Sequence, residues 1–515
     1  MSGYIGTQPV PQATQTRDAF TATAGQTSFA TSGYTPNFLD VFLNGVKLAA
    51  ADYTATNGSD VVLASGAVVN DILEVVAYTA FDTANATASS GFTVTGNLSV
   101  DGGTIKLDGN YPVGTANVAL GDAALDALTS GGSNVAIGGG SLTSNTSGNN
   151  NVGIGRRALL SNTSGGANVA IGLDTLQANT TASNNTAVGY QAGYSNTTGH
   201  SNTSVGKGAF YTNTTGNENN AFGFQALYSN TTGSTNTALG RNTLYTNTTG
   251  SQSVAVGNNS LYYNTTGGNN TAVGYLALTA NTTGTRNVAI GHTSLNSNTT
   301  ASYNTALGFR GLFSNTTGAS NVGLGYQALD ANTSGSNNVA IGRDALVLST
   351  TASNNTAVGF EAGLSNTTGT ENTFIGGRAG TATTTGGNNT FVGTDAGDAN
   401  TTASNNTGIG RDSLTDNTTG ENLTAVGEGS LANNTTADNN TAVGKNAGLL
   451  VTTGIRNTLI GALAGDALNT GTRNVSLGYG SLSSDTKGSR SVAIGTDALF
   501  TQNFTSATDA YNTAV

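Results

Sequence analysis

Cysteine and tryptophan are absent from this chain, and proline, histidine and charged residues are scarce. Without cysteine there is no disulfide framework and no thiolate zinc site. His200 and His292 are the only imidazoles, too few for a metalloenzyme or for histidine-based acid–base chemistry. Charged residues make up 9% of the 515 positions, against about 25% in ordinary domains. A net charge of −11 over this length is modest, whereas disordered chains carry a high one. Its sign is wrong for a nucleic-acid binder, which needs a basic stripe. Four prolines and no G-X-Y period exclude collagen. No apolar run approaches the roughly 20 residues of a membrane-spanning helix. Residues 1–17 lack the basic and apolar regions of a secretory signal. The expectation is a chain with no catalytic residue, metal or cofactor, no nucleic-acid partner and no membrane insertion.

Glycine is abundant instead: 73 residues, about twice the usual share of ~7%. Much of it marks a repeat. N-V-A-L-G at 117–121 returns as N-V-A-I-G at 134–138, N-V-G-I-G at 151–155 and N-V-A-I-G at 168–172. The closing glycine recurs every 17 residues from Gly121 to Gly495, in 23 copies without an insertion or deletion. Gly138, Gly155, Gly172, Gly189, Gly206, Gly257, Gly274 and Gly291 are among these turn glycines. Loops between independent elements change length freely, so so strict a period implies stacked coils in which every residue has a fixed place.

Positions are counted from that glycine. Position −4 is Asn in 20 of the 23 copies, Ser253, Leu423 and Ser491 being the exceptions, and −1 is always Val, Ile, Leu or Phe. Apolar residues at −3 and −1 around a small one at −2 have the two-residue period of a strand. The N-T-T-G segment that follows is turn chemistry. All four prolines precede the array, as they must if every coil donates amides to the next. Of the 14 Lys and Arg in the array, all but Lys487 lie at +1, +2 or +12, which should therefore face solvent. Positions −3, −1, +3 and +4 are expected inside. That assigns Ile137, Ile154, Ile171, Val188, Val205, Val256, Val273, Ile290, Ile341, Val358 and Ile494 to a repeat core. Asn134, Asn151, Asn168, Asn185 and Asn202 at −4, with the Asn at +7, are expected to stack as hydrogen-bonded ladders.

Position +4 is Leu or Phe except in six copies, where Gly193, Gly363, Gly380, Gly397, Gly448 and Gly465 replace it. Such an interior is thin for a free-standing solenoid. A parallel homotrimer sharing one axis would cover it, with the glycine coils marking closer approach of the backbones. At ~4.8 Å per strand, 23 coils make a rod on the order of 100 Å long.

The ends have a different grammar. After an N-terminal arm (1–16), residues 17–81 read as a small antiparallel β domain: V-F-L-N-G-V-K-L (41–48) and Y-T-A-T-N-G-S-D-V-V-L (53–63) both place Asn-Gly between strand-like runs, a strong hairpin signal. A further strand at 72–78 follows the turn at Asn70-Asp71. Residues 82–116 read as a linker and a β-rich neck, 117–508 as the shaft, and 509–515 as the start of an unfinished repeat. Tyr511 to Val515 call for a glycine 21 residues after Gly495 instead of 17. An open coil there is expected to continue, to be covered by a partner or to be disordered. The fold class is all-β: a small antiparallel domain followed by a parallel β-solenoid or β-roll.

Two resemblances follow. N-V-A-I-G at 134–138 and 168–172, and S-V-A-I-G at 491–495, resemble the core motif of trimeric autotransporter adhesin heads, left-handed parallel β-rolls built as homotrimers. Their coil is shorter than 17 residues, and the N-T-T-G turn departs from it. Y-I-G-T-Q-P (4–9), Q-T-R-D-A-F-T-A-T-A-G-Q-T-S-F (15–29) and L-D-V-F-L-N-G-V-K-L (39–48) resemble the virion-proximal segment of tail fibres from marine bacteriophages, including those of cyanobacteria. The resemblance implies a virion location on the phage tail. It also implies an N-terminal part that docks on tail proteins, a homotrimeric shaft, and a distal end that meets a host-surface receptor, a glycan or outer-membrane component.

Other motifs fit blander readings. N-T-T and N-T-S match the glycosylation acceptor but recur because the turn recurs. Gly138 to Gly140 lacks the strand-to-helix setting of a nucleotide loop. Acidic residues at +1 and +2 (Asp344, Asp395, Asp412, Asp497, Glu428) share their columns with Arg, as on a solvated face. Aromatics at +1 (Tyr190, Phe224, Tyr275, Phe309, Tyr326, Phe360) and +5 (Tyr194, Tyr211, Tyr228, Tyr245, Tyr262, Phe313) could stack on sugars or cover the solenoid surface. An ice-binding solenoid, with Thr paired at +8 and +9, and a surface adhesin are the alternatives to a fibre. An enzyme is not expected, because the array offers no special carboxylate pair.

Overall fold

The computed structural model describes residues 15–78 and 115–515, which lie in two separate compact units. Residues 1–14 of the expected arm and residues 82–114 of the expected linker and neck fall outside the described residues. Among the described residues there is no helix, so none that could cross a membrane.

The first unit packs two antiparallel sheets. Strands β1 (Gln15–Thr21), β7 (Ile72–Tyr78), β3 (Leu39–Leu43) and β4 (Val46–Lys47) form one, and β2 (Ser28–Ala30), β6 (Asp60–Leu63) and β5 (Tyr53–Thr54) the other. Asn44 and Gly45 have φ of 49° and 80°, the two positive angles of a type I′ hairpin, and set Leu43 opposite Val46. Asn57-Gly58 does not make a two-residue turn. It lies in a longer loop between β5 and β6, where Asn57 Oδ1 accepts from the Ser59 and Asp60 amides. Phe29, Val41, Val61, Leu73 and Val75 are buried between the sheets.

The second unit is a parallel β-solenoid whose coil is the 17-residue repeat. Each coil contributes a three-residue strand at −3 to −1, from β8 (Val118–Leu120) through β9 (Val135–Ile137) and β10 (Val152–Ile154) to β31 (Val492–Ile494). Val152 pairs with Val135 on one side and Val169 on the other. The turns are bonded from coil to coil as well: Leu142 N donates to Ala158 O and Thr146 N to Thr163 O. The chain rounds its corners at left-handed residues, as at Arg157, Leu159 and Ala167 (+2, +4 and +12), with φ of 58°, 53° and 54°.

The period-two signal is right about the strand and wrong about its phase. Ala at −2 points inward: Ala136, Ala170, Ala187 and their successors have no exposed surface. The −3 and −1 side chains point outward. Ile137, Ile154, Val188, Val205, Val256, Val273, Val358 and Ile494 are half-buried, while Ile171, Ile290 and Ile341 are exposed, Ile171 at 38%. The expected repeat core is therefore the outer face of the strand. Alternation alone does not say which phase is inside. The coil decides it, because Leu at +4 and Ala at +3 already fill the narrow interior and leave −2 room for Ala only. Leu142, Leu159 and Ala158 are fully buried, so each coil closes its own core.

The six glycines at +4 have another cause than backbone approach. Leu at +4 stands at φ near 50°, costly for a side chain and free for glycine. In five cases an enlarged −2 residue takes the space. A Cβ on Gly363 or Gly380 would meet the Phe374 ring at 2.5 or 2.4 Å, one on Gly397 would meet Phe391, and one on Gly448 or Gly465 would meet Leu459. Gly193 has no such partner; its Cβ would meet Leu176 Cδ2 at 2.8 Å.

Beyond Gly495 the period slips. Strand β33 (Thr513–Ala514) pairs with Val492 and Ala493 of β31, 21 residues back. Asp485, buried where the ladder Asn would stand, holds the enlarged coil: Gln502 Nε2 and the Phe504 amide donate to its carboxylate at 2.6 and 3.1 Å.

Candidate functional site

Two asparagine ladders run through the solenoid. At −4, Asn151 Nδ2 donates to Asn134 Oδ1 (3.1 Å), which also accepts from the Asn151 amide, and Asn168 repeats this on Asn151. Asn185 and Asn202 continue the column. At +7, Asn162 Nδ2 donates to Asn145 Oδ1 (2.8 Å). The two ladders meet on one acceptor, because Asn151 and Asn162 both donate to Gly165 O. These side chains are buried. Each buried amide bond contributes about 1 kcal/mol net, and an unmet partner costs about 1–3 kcal/mol. The N-T-T Asn is thus an interior strut, out of reach of a glycosylating enzyme.

The turn glycines form a third column. Their φ lies between 120° and 144°, and a Cβ on Gly206 or Gly274 would lie 2.4 Å from the next coil's glycine carbonyl. Threonine makes a fourth: at +8, Thr146 Oγ1 donates to Thr163 O, Thr163 Oγ1 to Thr180 O, and so on along the rod. Those hydroxyls are engaged with the neighbouring coil, which leaves the +9 hydroxyls as the free ones of the Thr pair.

The outer surface carries aromatic columns. Tyr194, Tyr211, Tyr228, Tyr245 and Tyr262 stack face to face at +5, with ring centroids 5.0–5.2 Å apart. Burial in this stack pushes the Tyr211 and Tyr262 phenols up from their ordinary pKa, and neighbouring phenols add to it. At +1, Tyr275, His292, Phe309 and Tyr326 stack likewise. Lys207 lies between the Tyr190 and Phe224 rings, and Arg241 over Phe224. Rings inside these stacks have both faces covered, so the columns present mainly edges, hydroxyls and cations.

Charges outside this region pair along the rod. Arg157 forms a bidentate pair with Asp174, Arg378 with Asp395, and Glu428 lies between Arg411 and Lys445. Asp344 and Asp412 pair with Arg343 and Arg411. Asp398 is different: burial, then its neighbour Asp395, pushes its carboxyl up from the usual range, and its Oδ1 has no hydrogen-bond partner.

The strand face is a continuous stripe. Its −3 column is almost entirely Val and Thr, its −1 column is Leu, Ile, Val or Phe in every coil, and neither holds a charge. Leu120, Leu239 and Leu307 on it are 43–49% exposed.

Among the described residues no group of three His, Cys, Asp or Glu is placed to hold a metal ion. Gly140 of the G-x-G pair takes the left-handed +2 position, with φ of 70°, and no helix follows it. In the first unit a cleft of about 460 Å³ is lined by Asn37, Leu39, Tyr53 and neighbouring small residues, without an acid–base pair. Sequence reading located the aromatic and Asn columns but missed the −2 core; the signal for it lay in the pairing of Phe374, Phe391 and Leu459 with glycine at +4. The chain matches no protein-family model, no curated protein and no solved structure.

Proposed function

We propose that this chain is a structural, non-enzymatic fibre: the shaft of a bacteriophage tail fibre. Its N-terminal unit docks on tail proteins, and its solenoid projects from the virion toward a host-surface receptor, a glycan or outer-membrane component. The observation that carries the shaft reading is the outer strand stripe. It is uncharged over 23 coils, on the order of 100 Å long and 10 Å wide, so about 1,000 Å² per chain. Specific interfaces bury about 800 Å² per partner, and an uncharged surface of this extent, apolar at every −1 and Val or Thr at nearly every −3, has the size and composition of an interaction site. Its rungs repeat with the coil, and a second copy of the same chain is the partner whose rungs match along the whole length. Three parallel copies around the stripe make the homotrimeric shaft. The trimer follows here from an uncovered outer face, since the inner core is complete.

The phage assignment rests on the resemblance of residues 4–48 to virion-proximal fibre segments. Antibody raised against the chain tests it: gold label is expected on virion tails, with adsorption blocked. Label on a bacterial surface and none on tails would transfer the same shaft to a surface adhesin.

A further inference from the structure

The middle of the solenoid differs from the rest in chemistry. Residues 175–329 hold Glu218 and no other of the chain's 28 acidic residues, against four Lys and Arg, of which Arg310 is paired with Asp330 just beyond the stretch. Lys207, Arg241 and Arg286 lie over aromatic rings, and no carboxylate pairs with them among the described residues. The same stretch carries the five-tyrosine stack and most of the +1 aromatics. The columns adjoin: a Cβ on Gly208 at +2 would touch the Tyr228 ring at 3.5 Å. The result is a straight aromatic belt of the +1 and +5 columns carrying Lys207 and Arg241, with a positive local field on an acidic chain; Arg286, over Tyr303, stands apart in the +12 column.

We propose that this belt binds an anionic polysaccharide laid along the rod. The belt is linear and open, which suits a polymer. Most of its ring faces are consumed by stacking, which leaves bases of a single-stranded nucleic acid no continuous platform. What it offers outward are phenol hydroxyls, ring edges and cations, the partners of sugar hydroxyls and of carboxylate or sulfate groups. Lys207 and Arg241 are two coils apart, about 10 Å along the axis, an interval that suits a polymer with an acid on alternate sugars. The proposal does not depend on the phage assignment, and its failure would leave the shaft reading intact.

The test uses the full chain with dextran sulfate, polygalacturonate and uncharged dextran as probes, by calorimetry at low and high salt. Both anionic polymers should bind and dextran should not, and binding should weaken as salt screens the charges. The surface variant Lys207→Gln/Arg241→Gln should bind about tenfold more weakly or worse, the equivalent of one charge-assisted contact. Lys207→Arg should retain binding. Arg456→Gln/Arg473→Gln, cations outside the belt, should bind like the parent. The proposal is overturned if neither anionic polymer binds at low salt, if the double variant binds like the parent, or if single-stranded DNA displaces the polymers and binds more tightly.

Discussion

At the scale of the residue, two kinds of glycine look alike in the sequence and differ in the fold. The turn glycine is barred from a side chain both by its φ and by the carbonyl of the next coil. The N-T-T-G glycine at +10 has an ordinary φ, and Ala182, Ala301, Ala352, Ala403 and Ala437 already stand at that position. Gly274→Ala, at φ 140°, should destabilise its coils by roughly 2–4 kcal/mol. Gly267→Ala also brings a Cβ to 2.4 Å from the next coil's carbonyl, but at an ordinary φ and in a turn that takes Ala in five other coils it should cost less, about 1 kcal/mol. Amide hydrogen exchange in the flanking coils reads the difference locally, as a repeat array requires. The asparagine ladders give the complementary case. The buried Oδ1 atoms of Asn332, Asn366 and Asn434 have no partner, and each faces a coil where Ser349, Thr383 or Val451 replaces the ladder Asn. Ser349→Asn restores a donor for Asn332 and an acceptor for Asn366. It should stabilise that segment by about 1–2 kcal/mol, seen as slower exchange across coils 332–366.

At the scale of the element, the coil is a fixed volume shared by +4 and −2. Phe391 fills the space that Leu would occupy at 397, and Gly408 stands on its other side, where a Cβ would lie 3.1 Å from the ring. Phe391→Ala should open a cavity costing about 3–5 kcal/mol. Gly397→Leu alone should also destabilise, since even its Cβ would lie 2.6 Å from that ring. Together they recreate the common coil, and a double-mutant cycle in denaturant should show a favourable coupling above about 1 kcal/mol. Additive losses would mean that the two positions do not share a space. This exchange also marks what the sequence could and could not reveal. Period, strand position, turn chemistry and the solvent-facing charge columns were legible because 23 copies average out local noise. The phase of the strand was not, because Val and Ile fit either face of a pleat and the size of the interior is set by the turns. The Tyr stack was legible as a column of positions. Its loss of free ring faces was not, because the 5 Å coil spacing acts only once the coils are stacked.

At the scale of the molecule, the solenoid is a rod with a complete interior and an incomplete exterior. Leu at +4, Ala at −2 and +3 and the two Asn ladders close each coil. The −3 and −1 columns leave an uncharged stripe, apolar at −1 and mixed Val and Thr at −3, that water covers in a lone chain. Burying that stripe against identical chains is the claim on which the fibre reading turns, because a rod content to stay single has no need of it. The most direct measurement is the solution mass of the full chain by light scattering, over a range of concentrations. A trimeric shaft gives three times the 51.1 kDa chain mass, persisting on dilution to the nanomolar range. A stable particle of 51.1 kDa would contradict it, and would make the stripe the outer wall of a single-chain binding solenoid.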